Sequence, residues 1–549
     1  MSVAPTIEAV RPVGPLLLIA EFARRLGIQD TIDRICPSRS NAKLTHGQVA
    51  LAIIANRLCQ PLAMVHLLQW ASQSAAGAVL GFAGTLLNDD RIARCLDALG
   101  PHLERLQGEL LVQAIREFDL DVRRLHWDLT SIVLEGEYPG EAGAGLVEEG
   151  PGPAEEGPGT DARAAYGYGG VEGCKQFRVG ELLTADGGVP LYQLRQDGNQ
   201  ADVGTILTAL TAVTAHVSLP DCLVVGDSKL LSAAIIGKLR QQQFSFLAPV
   251  ARTDAVREAY AGLDPAAWVQ LEYLPRREAQ LPEEERTRYQ GQETEFLFRD
   301  PETQTEVLLR RLFVLNTTER ALRGVSRQQA IHRYCAQLTT LLAQIGQRGA
   351  TTRRQVERRL GKLRKAHPLA APFVTVHLPA EDRPPEVHWE VDAAAVQEAA
   401  LLDGVTVLLT NYPAEAADAH ELLRLWKGQL ESERRFADWK GPLQVRPVFL
   451  STQARINVLL LLCHVALLLF CLVERTVRRG LAQEGAQKLP GLYAGQHDAI
   501  PTGRLVFQAF QYLYLVELRV AGEWFRRLPP LTRVQEQLLR LLGVPKPPW

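Results

Sequence analysis

Apolar and polar positions change their period several times along the chain, and each change predicts an element. Residues 12 to 115 read as helices: Thr45 stands as a cap before an apolar run through Leu58, and Asn88 caps Asp89 to Leu99, with acids in the first turn. The pattern then shifts. Arg124 to Glu135, RLHWDLTSIVLE, is rich in β-branched and aromatic residues with partial alternation, which predicts a strand. On it His126, Asp128 and Thr130 share one face, and Trp127 and Leu129 point to the other. Two more strand-like runs follow, Gln176 to Ala185 and Val189 to Arg195, then a helix-like run from Ala201 to His216. Cys222 to Val225 is a short apolar run suited to a strand buried on both faces; Gly226, Asp227 and Ser228 close it at its carboxyl edge. A helix from Lys229 to Gln241 and a strand from Phe244 to Val250 complete this stretch.

Leu423 to Arg446, LRLWKGQLESERRFADWKGPLQVR, has a different character. Trp426, Gln429, Glu433 and Lys440 succeed one another at steps of three, four and seven, which keeps all four on one face of a continuous helix. Lys427, Arg434, Arg435, Lys440 and Arg446 surround the acid; they can hold it charged and can grip an anionic polymer. A solvated helix laced with ion pairs is the alternative reading of the same residues.

The interval from Asp227 to Glu433 exceeds what one connection needs, so it houses an inserted domain. Its strand-like runs, Glu293 to Phe298, Glu306 to Val314, Phe373 to Leu378 and Val405 to Thr410, flank a helical hairpin near Arg327 to Lys365. The second arm carries Arg353, Arg354, Arg358, Arg359, Lys362, Arg364 and Lys365, answered only by Glu357; phosphate contact and a plain solvated face are both open. Pro139 to Gly159, rich in Gly, Pro and Glu, reads as a mobile loop between the first two core strands. Arg504 to Leu541 looks helical, with a subunit contact as one use.

Three strands, a helix, a strand, a helix and a strand, with a late helix, is the element order of an RNase H-like core. The expected fold is therefore α/β: an RNase H-like mixed sheet flanked by helices, interrupted by a strand-rich insertion, with a helical N-terminal domain. Expected boundaries are a helical region over 1–115, core over 116–250, insertion over 251–410, core again over 411–480 and a helical C-terminal region over 481–549. A buried Asp amid apolar strand residues needs a reason, and that weighs most for Asp128; Asp227, before Ser228 and Lys229, can also be an N-cap. Three converging carboxylates repel, by roughly 4 kcal/mol per pair at about 4 Å and an effective dielectric near 20. A divalent cation relieves that repulsion, and oxygen-only ligands suit Mg²⁺.

These pieces carry a resemblance. LHWDLTSIVLEGEY around Asp128, VVGDSKLLS around Asp227 and ESERRFADWKGPL around Glu433 resemble a DDE transposase of a bacterial insertion sequence, in the branch with a Tyr-Arg-Glu-Lys signature. Smaller echoes are Leu87 to Arg91 and Leu402 to Asn411, and the resemblance runs from about residue 12 to about 480. It implies Asp128, Asp227 and Glu433 as catalytic metal ligands for two Mg²⁺ or Mn²⁺ ions. It implies phosphate and end-base contacts from Trp426, Gln429 and Lys440, with Lys427, Arg434 and Arg446 as further DNA-binding cations. The implied activity is cutting of element ends and joining to target DNA; implied partners are the terminal inverted repeats, the target duplex and, on DNA, a second copy. Two residues depart from the signature: its Tyr is Trp426 here and its Arg is Gln429, and Gln cannot supply a bidentate guanidinium. A disabled DNA-binding relic, or a nuclease on the same core, are the alternatives.

Composition narrows this little. In 549 residues, 46% hydrophobic and 22% charged describes an ordinary globular chain of two to four domains. A net charge of −2 gives no bulk attraction to DNA, so contact must come from local basic patches. Eight scattered cysteines, none in a CxxC pair, argue against structural zinc and a disulfide framework and fit a reducing cytoplasm, which the resemblance implies is bacterial. Leu16 to Ala20 is too short for a signal peptide. Ile456 to Val473, which reaches marginal membrane-spanning length, is expected instead as a buried core helix, with His464 a satisfied interior histidine and no membrane partner. No GxSxG and no GxxxxGK[ST] is present, which sets aside serine-hydrolase and phosphate-loop chemistry.

Overall fold

The first core strand forms over Arg124–Val133, where the alternation placed it. It pairs antiparallel with Lys175–Thr184, which pairs in turn with Pro190–Asp197. On its other edge Arg124–Val133 pairs parallel with Leu223–Val225. Third, second, first, fourth is the strand order of an RNase H-like sheet: a meander of three, then a strand returned parallel to the first through the Thr205–Thr214 helix. The computed structural model describes residues 6–134, 162–167, 174–201, 204–275, 278–279, 281–347, 350–378, 388–445, 448, 450, 452–493, 495, 497–546 and 549. The expected Pro139 to Gly159 loop, and Arg446 among the expected DNA contacts, lie outside them.

The chain divides into two compact units, Met1–Ser245 with Lys427–Trp549, and Phe246–Trp426. In the first unit the helix Gln453–Gln483 runs through the middle, and every residue from Ile456 to Val473 is buried. It touches helices of the N-terminal region, the Pro190–Asp197 strand and the C-terminal helix Arg533–Leu542. Its length and composition would suffice to cross a membrane; here the apolar surface is covered by other elements of the unit. The expected interior histidine is satisfied: His464 Nδ1 lies 2.9 Å from Glu181 Oε2, and Gln193 Nε2 donates to the other Glu181 oxygen at 2.9 Å. Both expected caps form, Thr45 to the Gln48 N–H in a reciprocal capping box and Asn88 to the Arg91 N–H.

The second unit holds an antiparallel sheet in the order Ser245–Pro249, Val405–Thr410, Glu306–Asn316, Tyr289–Arg299, Val269–Leu271. Its helical hairpin is Thr317–Leu342 and Arg353–Ala366, closed by Tyr334, Leu338, Val356 and Leu360. The first arm starts ten residues before the expected one, capped by Asn316.

The C-terminal region corrects the all-helical expectation. Only Gly503–Gln508 and Arg533–Leu542 are helices there; Tyr514–Val520 and Glu523–Arg527 form a hairpin, and Thr6–Pro12 joins it as a third strand. Tyr514, Val516, Leu518 and Val520 alternate at period two, and Ala521-Gly522, both at positive φ, make the turn. Averaging the aromatic-aliphatic content over the whole stretch hid that short-range alternation.

Candidate active site

The strand register brings the two aspartates together. His126 faces Val225 across parallel strands, so Asp128 and Asp227 each lie two residues further along adjacent chains. Asp128 is partly buried and its carboxylate accepts from the Leu129 N–H at 2.8 Å. Asp227 is exposed; its Oδ1 accepts from the Lys229 N–H at 3.0 Å, so it serves as a cap.

The third acid arrives on the helix Leu430–Lys440. Ser432, Arg435, Phe436 and Trp439 recur at steps of three, one and three and form its buried stripe, with Trp439 wholly enclosed. Glu433 lies off that stripe and is exposed. Two side chains fasten the helix along the Asp128 face of the strand. At its start Gln429 Nε2 donates to the Trp127 carbonyl at 3.0 Å, and Gln429 Oε1 is 3.0 Å from His126 Nδ1. At its end Lys440 Nζ donates to Thr130 Oγ1. His126 thus faces Gln429 and Thr130 faces Lys440, and Glu433, between the two anchors, is near enough for its charge to act on Asp128. Burial pushes the Asp128 carboxyl up to about 6, with Asp227 and Glu433 adding to the rise and the Leu129 N–H and Lys440 opposing it.

Gln429, an expected DNA contact, is fastened to the first core strand of its own chain. Its amide is oriented by the Trp127 carbonyl, so Oε1 is the acceptor and His126 carries its proton on Nδ1. Burial holds His126 below its usual pKa against that hydrogen bond, so the pair is neutral. The signature segment is also not one helix: Ala419–Lys427 ends, Gly428 and Gln429 turn, and Leu430–Lys440 begins. Trp426 therefore belongs to a different helix from Glu433 and Lys440. Trp426 and Lys427, at the end of the preceding helix, are both half-buried.

Two of the expected cations hold carboxylates of their own chain. Arg434 reaches both Glu474 oxygens, at 3.0 and 3.1 Å, and Arg435 is buried against Glu474, Asp438 and the Gly187 and Gly188 carbonyls. Burial pushes the Glu474 carboxyl up, but Arg435, Arg478 and Arg434 outweigh it and hold the acid below its usual range. Thr130 and Glu474 were not singled out in the sequence. Thr130 shares a strand face with Asp128, which is a usable signal; Glu474, in a long apolar helix, should have been marked as a buried acid needing partners.

A divalent cation fits this site by donor chemistry: carboxylate oxygens only, with Asp128 raised first by its burial and further by the charges of Asp227 and Glu433. Among the described residues, no three acids are gathered tightly enough to hold one ion together.

No curated protein matches the chain. The piggyBac transposase synaptic complex with hairpin DNA aligns over 93% of this chain and 82% of its own, at 7% identity and a TM-score of 0.38. The Mos1 transposase paired-end complex with left transposon end aligns over 38% and 60%, at 7% identity and a TM-score of 0.15, so neither likeness supports an argument. A domain of unknown function, DUF4277, matches residues 8–105. The transposase DDE domain matches residues 152–469, a span that takes in Asp227 and Glu433 and begins after Asp128. Since that span exceeds half of the chain, the protein belongs to the DDE transposases.

Proposed function

We propose that the protein excises an insertion sequence at its terminal inverted repeats and joins the ends to target DNA, acting in a bacterial cytoplasm on double-stranded DNA as a homodimer. The observation that supports this reading is the register that sets Asp128 beside Asp227 on adjacent strands, where burial, with the charges of Asp227 and Glu433 adding to it, raises the titration of Asp128. Asp128 and Asp227 would hold two Mg²⁺ or Mn²⁺ ions and Glu433 would complete one ligand set. Such ions, when bound, activate the attacking oxygen and stabilise the leaving one in phosphoryl transfer. The protein's own residues position these groups: Gln429 and Lys440 fix the helix, and the Lys440 ammonium, beside the acids, is placed to draw a phosphate oxygen inward. Trp426, Lys427 and Arg446 are proposed to line the DNA path, and Arg434 would join them only by leaving Glu474.

The Gln429 clamp weighs against the relic reading, because the residue that departs from the signature has a structural partner on the Asp128 strand. The test is an end-joining assay with marked 3′ ends and added Mg²⁺ or Mn²⁺. Joined products are expected from the parent and none from Asp128→Asn, Asp227→Asn or Glu433→Gln. Cleavage without joining would favour a nuclease; an inert parent revived by Trp426→Tyr with Gln429→Arg would favour the relic.

A further inference from the structure

The C-terminal hairpin ends in an open edge. In the three-stranded sheet formed with Thr6–Pro12 and Tyr514–Val520, Glu523–Arg527 is an outer strand with no neighbour on one side. All five of its residues are exposed, including Trp524 at 62% and Phe525 at 38%. Large aromatics on an open strand are a pairing liability, and chains usually blunt such edges with charge. Charges are present, in the sequence Glu-Trp-Phe-Arg-Arg, but their signs are arranged for pairing.

Laid antiparallel on a second copy of itself about Phe525, the strand sets Glu523 against Arg527 twice, Trp524 against Arg526 twice, and Phe525 against Phe525 on the axis. Opposite charges meet at both ends, and a guanidinium meets an indole at each inner pair. The match holds whichever residues point their N–H and C=O groups outward, because Phe525 stays on the two-fold axis in either case. A purely protective edge would carry one sign at 523 and 527 and repel its own copy. Glu523 and Arg527 also have no ion-pair partner among the described residues, whereas Arg526 is held by Glu517 at 3.2 Å.

We infer that Glu523–Arg527 is a self-association surface, at which two copies of this chain pair edge to edge and merge their three-stranded sheets into one of six strands. This inference stands apart from the DNA-joining activity and survives its failure. The strand is short, so the dimer is expected to be weak and concentration-dependent.

Sedimentation of the full-length protein without DNA, over a concentration series, tests it. The parent is expected to dimerise, and E523R and R527E each to associate roughly ten-fold or more weakly, since each places like charges at both ends. An equimolar mixture of E523R and R527E is expected to dimerise again, as is the double variant E523R/R527E. Unchanged thermal melting of each variant shows that the fold is intact. A parent that stays monomeric throughout, single variants that dimerise like the parent, or a folded double variant and mixture that both stay monomeric would each overturn the inference.

Discussion

The Leu430–Lys440 helix has two charged sides that contrast sharply. On one, Arg434 and Arg435 meet Glu474 at hydrogen-bonding distance, and the buried guanidinium of Arg435 also takes two backbone carbonyls. On the other, burial raises the Asp128 carboxyl, and the charges of Asp227 and Glu433 add to the rise. The first arrangement is satisfied and structural; the second is left in electrostatic tension. A protein can bury charge where every donor and acceptor is answered; a partly buried acid whose charge is disfavoured is a candidate for a functional role.

Substitutions on the two sides should separate activity from stability. The largest effect is expected in joining: Asp227→Asn or Glu433→Gln should lower it by roughly a thousand-fold or more while the melting temperature barely moves, because several kcal/mol of charge stabilisation in phosphoryl transfer is lost. Parallel joining assays and thermal melts of purified variants decide it, and a large drop in melting would make these acids structural.

Next in size, Glu474→Gln should destabilise the fold by about 3–5 kcal/mol, since Arg434, Arg435 and Arg478 all lose this carboxylate. The pH dependence has a definite sign. Glu474 titrates below its usual value in the folded protein, so its contribution is present above the unfolded pKa and lost as pH falls through the folded one. Denaturant melts at descending pH should therefore show a shallower acid loss in the Glu474→Gln variant than in the parent.

A smaller effect, about 1–3 kcal/mol, is expected for Gln429→Ala, which orphans His126 Nδ1 and the Trp127 carbonyl. Joining should fall with it, because Glu433 loses its forward anchor, and Gln429→Glu should recover less than the parent since it removes the donor to Trp127. Retained activity in Gln429→Ala would show that Lys440 alone holds the helix.

The smallest effect is one of opposite sign. Asp128 titrates at about 6, above the ordinary carboxylate value, so the folded state prefers it protonated and stability from this residue fades as pH rises toward and through about 6. Asp128→Asn should consequently be neutral or more stable than the parent by about 1 kcal/mol at neutral pH in metal-free buffer, read by denaturant unfolding. A clear loss of stability would mean that the acid is structurally required.

Periodicity in the sequence determined most elements of this protein. Arg124–Val133 and Val405–Thr410 lie where alternation and β-branching placed them, and Gln453–Gln483 extends the buried helix read at Ile456 to Val473. The three acids stood out in the sequence as well, since an Asp within an apolar strand and an acid ringed by cations are both anomalous by composition alone, and the strand register sets Asp128 beside Asp227. Tertiary structure alone decided the rest. It broke the signature helix at Gly428, gave Gln429 and Lys440 partners some three hundred residues away, and turned Arg434 and Arg435 inward onto Glu474. It also added Thr6–Pro12, from the far end of the chain, to the edge of Tyr514–Val520. The physical reason is range: a period is imposed by neighbours within one turn or one pleat, whereas the partner of a charge or of a strand edge is fixed only once distant segments have packed.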